Sequence, residues 1–264
     1  MSGILPFNKV FVIGRNKTGT ISLVRAFKQM DLTVGRQDVT ERFADDWLVR
    51  DFRSLIKYCE EAQAFQDIPF SLNYTHIVMD LAFPGSKFIL TTRDPEASYC
   101  SLVGFHLASV ECGADLSLFE HADNTFVRKL KDYDYVRKGC IYDLVMDTYG
   151  LRHDVELHDR TVFKANFIRY TSEVHQYFAH RTGDLLELDL SAERTTTAIV
   201  NFLGLPSSRI IDMPHENKAG SWRTAWARDR YRRRRDGAEV ELAAAIMAWR
   251  DCRSDLNRAI QFSN

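Results

Sequence analysis

Lys9-Val10-Phe11-Val12-Ile13-Gly14-Arg15-Asn16-Lys17-Thr18-Gly19-Thr20 begins with a short β-branched and aromatic run that stops at a glycine. The run predicts a buried strand over Lys9–Gly14. Beyond it, Ile21, Leu23, Val24, Phe27 and Met30 recur at spacings of three and four, which predicts a helix over Gly19–Met30. Strand, glycine-bearing turn and helix form the opening of a nucleotide-binding α/β unit. Such a turn aims backbone N–H groups and the positive end of the helix dipole at an anion. Lys17 adds a mobile positive charge.

The rest of the chain repeats the alternation. Strands are expected at Leu32–Gly35, Ala62–Phe65, Lys87–Thr92 (KFILTT) and Asp184–Leu188 (DLLEL). Helices are expected over Trp47–Cys59 and over Leu72–Ala82, the latter with Ile77, Val78 and Leu81 as its apolar stripe. Another should open at Asp94-Pro95, where proline in the first turn loses nothing by lacking an N–H. Residues 115–180 read as mostly helical. Thr195–Leu203 reads as a helix closed by Gly204 and Pro206, and a last helix is expected from Glu239 to Ile260. Alternating strands and helices imply a central parallel sheet covered on both faces. The expectation is one α/β domain over residues 1–264, with a helical region at about 105–180.

Lys17 does not sit where an NTPase loop, G-x-x-x-x-G-K-[ST], would put it. It precedes Gly19 by two positions, and although Thr18 follows it, the preceding glycine is missing. The dinucleotide pattern GxGxxG also fails. The order Lys17-Thr18-Gly19-Thr20 after a buried strand resembles the 5′-phosphosulfate loop of sulfotransferases. Arg93-Asp94-Pro95, with Ser101 eight residues after the arginine, resembles their 3′-phosphate motif. Otherwise, Arg93 would pair with Asp94 and Ser101 would face water. Pro84–Leu90 resembles the family's run into that strand, and Asp184–Pro206 its late strand and helix. Asn217-Lys218-Ala219-Gly220-Ser221-Trp222 is similar to its loop closing over the 3′-phosphate. The resemblance covers residues 8–36, 66–104 and 184–222, and no recognised motif covers 105–180. Where the family loop often has two successive threonines, this chain has Thr20 and Ile21, followed by Ser22.

The resemblance implies a P-loop-like fold and transfer of a sulfuryl group from 3′-phosphoadenosine-5′-phosphosulfate (PAPS), leaving PAP. It implies donor contacts from Arg15, Asn16, Lys17, Thr18, Gly19, Thr20, Ile21, Ser22, Arg93, Ser101, Lys218 and Gly220. In-line transfer needs a cation at the leaving oxygen and a base for the acceptor's proton. Lys17 is the cation. The base is open. Many cytosolic members place a histidine two residues before a proline, and here Asp67 precedes Pro69 by two; it could equally cap a helix from Leu72. Asp38, after the second strand, is the runner-up, and His106 or His121 a further option.

A formal charge of −1 argues against a general nucleic-acid binder. Cysteines 59, 100, 112, 140 and 252 form neither a CxxC pair nor a zinc spacing and read as reduced cytosolic thiols. No HExxH or carboxylate triad points to a metal. No signal peptide or membrane span is read, so a cytoplasmic place and a small-molecule or lipid acceptor are expected. The run Arg228–Arg235 is a solvated face or an anion-facing rim. Competing readings are a P-loop kinase using ATP and Mg²⁺ and a non-catalytic nucleotide-binding module.

Overall fold

The computed structural model of the protein describes residues 5–110, 124–190 and 195–214. By its contacts the chain falls into two compact units, Met1–Asn217 and Lys218–Asn264, and all described residues belong to the first. The expected helix at 239–260, the basic run, Cys112, Cys252 and His121 lie outside the described residues.

The sheet has four strands, all parallel: β1 (Val10–Val12), β2 (Ala64–Phe65), β3 (Lys87–Thr92) and β4 (Leu185–Asp189). Their spatial order is β2-β1-β3-β4. Successive residues of a strand face opposite ways, and β1 shows both sides filled. Phe11 stacks among Phe65, Phe70 and Phe88 on one side. Val10 and Val12 join Leu23, Phe27, Ile199 and Val200 on the other. That second layer comes from α1 (Thr20–Gln29) and from the helix Thr195–Phe202.

Four helices follow α1 before β3: α2 (Gln37–Thr40), α3 (Ala44–Leu48), α4 (Arg53–Cys59) and α5 (Thr75–Ala82). Then come α6 (Pro95–Ser109), α7 (Asn124–Asp132), α8 (Cys140–Tyr149), α9 (Arg160–Phe178) and α10 (Thr195–Phe202). Helices α6 to α9 build a second core around Leu107, Leu130, Leu144 and Phe167. α9 is tied to the sheet by Tyr170, whose hydroxyl donates to the Ile13 carbonyl at 2.7 Å.

Three expectations need correction. Leu32–Gly35 forms no strand, only a bridge from Val34 to Ala64. The helix expected over Trp47–Cys59 breaks in two, because Arg50 has a left-handed backbone (φ 59°) and the Asp51 carboxylate accepts from the Arg53 N–H at the start of α4. α5 buries Thr75, His76 and Met79, not the predicted stripe, and Leu81 is 73% exposed. Small polar Thr75 and the aromatic cluster of Tyr170, Tyr177 and Phe178 around His76 let polar residues take the inner face.

Candidate active site

Neighbouring parallel strands all end at one edge of the sheet, where open α/β sheets bind ligands. From that edge β2 leads into Gln66 and Asp67, β1 into the loop that starts α1, β3 into Arg93 and β4 into Leu190. Segments far apart in sequence are thereby brought side by side.

Two glycines shape the loop. A Cβ on Gly14 would fall on the Thr91 hydroxyl and backbone of β3, so only glycine lets the strands approach there. Gly19 (φ 96°) is the N-cap of α1, and a Cβ on it would sit 2.5 Å from Leu190 Cδ1. The first-turn N–H groups of Thr20 and Ile21 have no intrahelical carbonyl to meet. They and the dipole of α1 could hold an anion. Thr18 is buried; its hydroxyl donates to the Arg15 carbonyl at 2.6 Å and lies 2.5 Å from the Thr91 hydroxyl. Its side chain is thus held within the loop.

Arg15 goes inward. Its guanidinium donates to the Ser71 carbonyl (3.2 Å), Asn73 Oδ1 (2.6 Å) and Asn166 Oδ1 (3.0 Å), and lies 3.8 Å from the Tyr170 ring centroid. Burial pulls its pKa down. Its partners are neutral, and they bolt the loop to α9 and to the 66–74 segment. Asn16 donates to Asp67 Oδ1 at 3.0 Å and accepts from Ser71 at 2.6 Å.

Lys17 and Asp67 are near enough for each to shift the other's ionisation. Both have left-handed backbones, φ 70° and φ 62°, although neither is glycine. Such conformations cost about 1–3 kcal/mol each and cluster at functional sites. Burial lowers the Lys17 pKa, with Asp67 acting against that and Arg93 adding to it. Lys17 Nζ lies 4.4 Å from the Phe105 ring centroid on α6. Burial raises the Asp67 pKa, opposed by the Ile68 N–H, Lys17, Thr20 and Gln37. Asp67 caps no helix: its Oδ1 accepts from the Ile68 N–H at 2.9 Å, while α5 begins at Thr75 with Tyr74 as its N-cap.

Arg93 is exposed and donates to the Lys17 carbonyl at 3.2 Å, so it joins the loop rather than Asp94. Asp94 instead accepts from the Ala97 N–H at the start of α6. Ser101 is half-buried on α6, one turn before Phe105. Ile21 and Ser22 are half-buried in the first turn of α1, and the Ser22 N–H bonds the Gly19 carbonyl. Asp38 points away: it is exposed and forked onto Arg36 at 2.6 and 3.2 Å. His106 is buried in a cavity on another face of α6, with Tyr99, Phe126, Tyr149 and Phe163. Lys218 and Gly220 lie outside the described residues.

No motif or spacing marks Gln37. Its side chain donates to Asp67 Oδ2 at 3.1 Å, and in sequence it directly precedes Asp38, the runner-up for the base. Phe105 was findable, since it follows Ser101 by four residues and so shares its helix face.

A search of curated proteins found no match. A family model described as "Sulfotransferase domain" matches residues 9–222. That span takes in the phosphate-type loop, the Arg93 edge and the late β4–α10 unit, and the chain belongs to the sulfotransferase domain family, transferases that move a sulfuryl group.

Proposed function

We propose that this sulfotransferase takes its sulfuryl group from PAPS and passes it to a hydroxyl or amine of a small-molecule or lipid acceptor. The observation that carries the reading is the pairing of Lys17 and Asp67 beside the anion-binding start of α1, each influencing the other's ionisation. The loop N–H groups and Lys17 would hold the phosphosulfate, and Arg93 and Ser101 the 3′-phosphate. In the step itself the acceptor oxygen or nitrogen bonds to sulfur while the bond from sulfur to the 5′-phosphate oxygen breaks. The acceptor's proton goes to Asp67, and the electron pair leaves on the phosphate of PAP, where Lys17 meets the new charge. A carboxylate held above its usual pKa is a better match to that proton than a free one.

Two observations weigh on the alternatives. The Thr18 hydroxyl, which would hold Mg²⁺ in an NTPase loop, is committed to Arg15 and Thr91. Asp38, the other carboxylate considered for the base, is tied to Arg36 in solvent. No helix among the described residues is long and apolar enough to cross a membrane.

The test is an acceptor screen with labelled PAPS, followed by Asp67→Asn and Asp38→Asn on the acceptor found. Asp67→Asn should bind PAP normally and lose about 10²–10⁴-fold in kcat, the contribution of a general base. Asp38→Asn should stay active. The reverse pattern would move the base to Asp38.

A further inference from the structure

Asp67 does not stand alone. Gln37, the first residue of α2, donates through one Nε2 to both Asp67 Oδ2 (3.1 Å) and Glu41 Oε1 (2.8 Å). Its own Oε1 accepts from Gln66 Nε2 at 2.8 Å. Those contacts fix which way the amide faces, since a flipped group would set an oxygen against two carboxylates. Gln37 and Glu41 share a helical face by their spacing of four, and Glu41 and Gln66 are both buried. Asp38, one position along, is thereby turned to solvent.

The two oxygens of Asp67 are held unequally. Oδ1 takes two short bonds, from Asn16 (3.0 Å) and the Ile68 N–H (2.9 Å). Oδ2 takes Gln37 at 3.1 Å and the Thr20 hydroxyl at 3.4 Å, which is near the limit of a hydrogen bond. Oδ2 is therefore the oxygen with room for a proton, and Thr20 is the contact that yields first.

We propose that Gln37 is a positioning residue, clamped by Glu41 and Gln66, that presents Asp67 Oδ2 to the acceptor's proton. The inference rests on the reading of Asp67 as the base. Among the described residues, the titratable groups bearing on Asp67 are Lys17, Arg93 by way of Lys17, and Glu41 through the amide. Loss of the Gln37 donor removes support from ionised Asp67. Loss of the Glu41 acceptor leaves the Gln37 amide to donate to Asp67 alone, which favours ionised Asp67. The two changes must move its titration in opposite directions.

The experiment is ¹³C NMR titration of the Asp67 carboxyl in the full chain, assigned by its absence in Asp67→Asn, and needs no acceptor. Gln37→Met keeps length without a donor and should raise the Asp67 midpoint by about one pH unit; Glu41→Met, which keeps length without an acceptor, should lower it. If Gln37→Met does not fold, Glu41→Met decides alone. A midpoint that stays put in the folded variants, or that moves the same way in both, overturns the clamp. Failure of Asp67 as the base would show instead as an active Asp67→Asn, whatever the titration does.

Discussion

Lys17 and Asp67 each sit in a backbone conformation that favours glycine, and each has a pKa displaced toward the middle of the scale. Asp67 must be ionised to accept a proton, so the acid limb of kcat/KM should lie above the usual carboxylate range. Lys17 must be protonated to meet the leaving oxygen, so the alkaline limb should lie below the ordinary lysine value of 10.5. A bell narrower than the free side chains would give is the expected pH profile. Asp67→Asn should erase the acid limb, and Lys17→Ala should lower kcat by about 10²–10³-fold. A wild-type profile flat down to pH 4 would remove Asp67 from the reaction. At this scale the places of Lys17 and Arg93 at the strand ends were legible, because spacing sets them. Which of Asp67 and Asp38 lies beside Lys17 was not, because it depends on which face of the four-residue helix α2 turns inward. Arg15 was legible as part of the loop, yet its side chain finds partners in Asn73 and Asn166, which no spacing connects to it.

The strands and their following turns make the site. β3 was legible end to end, since KFILTT is apolar on both faces and bounded by turn residues. α5 was misread because a helix packed against α9 through His76 buries residues by contact, not by hydropathy alone. The loop's geometry leads to a test. Gly19→Ala adds a Cβ both at φ 96° and against Leu190. It should destabilise the protein by about 1–2 kcal/mol from the left-handed backbone alone, and more from the clash. Adding Leu190→Ala should recover only the clash. Full recovery in chemical denaturation of the double variant would show that the backbone at Gly19 carries no constraint.

Over the whole molecule, the helical layer is fastened to the sheet under the site. His76 lies in that seam, buried against Tyr170, Tyr177 and Phe178, and its pKa is pulled down by burial to about 4. The unfolded chain protonates near pH 6.5, before the folded one does. The contribution of neutral His76 is therefore complete above about 6.5 and is lost as pH falls toward about 4, amounting to roughly 3 kcal/mol. His76→Phe, which suits an aromatic pocket, should flatten the denaturation free energy over that window relative to the parent. An unchanged slope would mean that His76 titrates normally. The parallel sheet itself was legible from the alternation of strands and helices. The seam was not, because its partners lie in residues 105–180, where no motif guides the reading.

The edge of β1 and β3 is proposed to hold a nucleotide with phosphates at both ends. Calorimetric titration with PAP and with adenosine 5′-monophosphate, which differ only in the 3′-phosphate, decides it. A charge-assisted contact from Arg93 is worth roughly 1.5–3 kcal/mol, so PAP should bind at least about tenfold more tightly. Arg93→Lys should narrow that gap. Equal affinity for the two nucleotides, or tighter binding of ATP with Mg²⁺ than of PAP, would contradict the account.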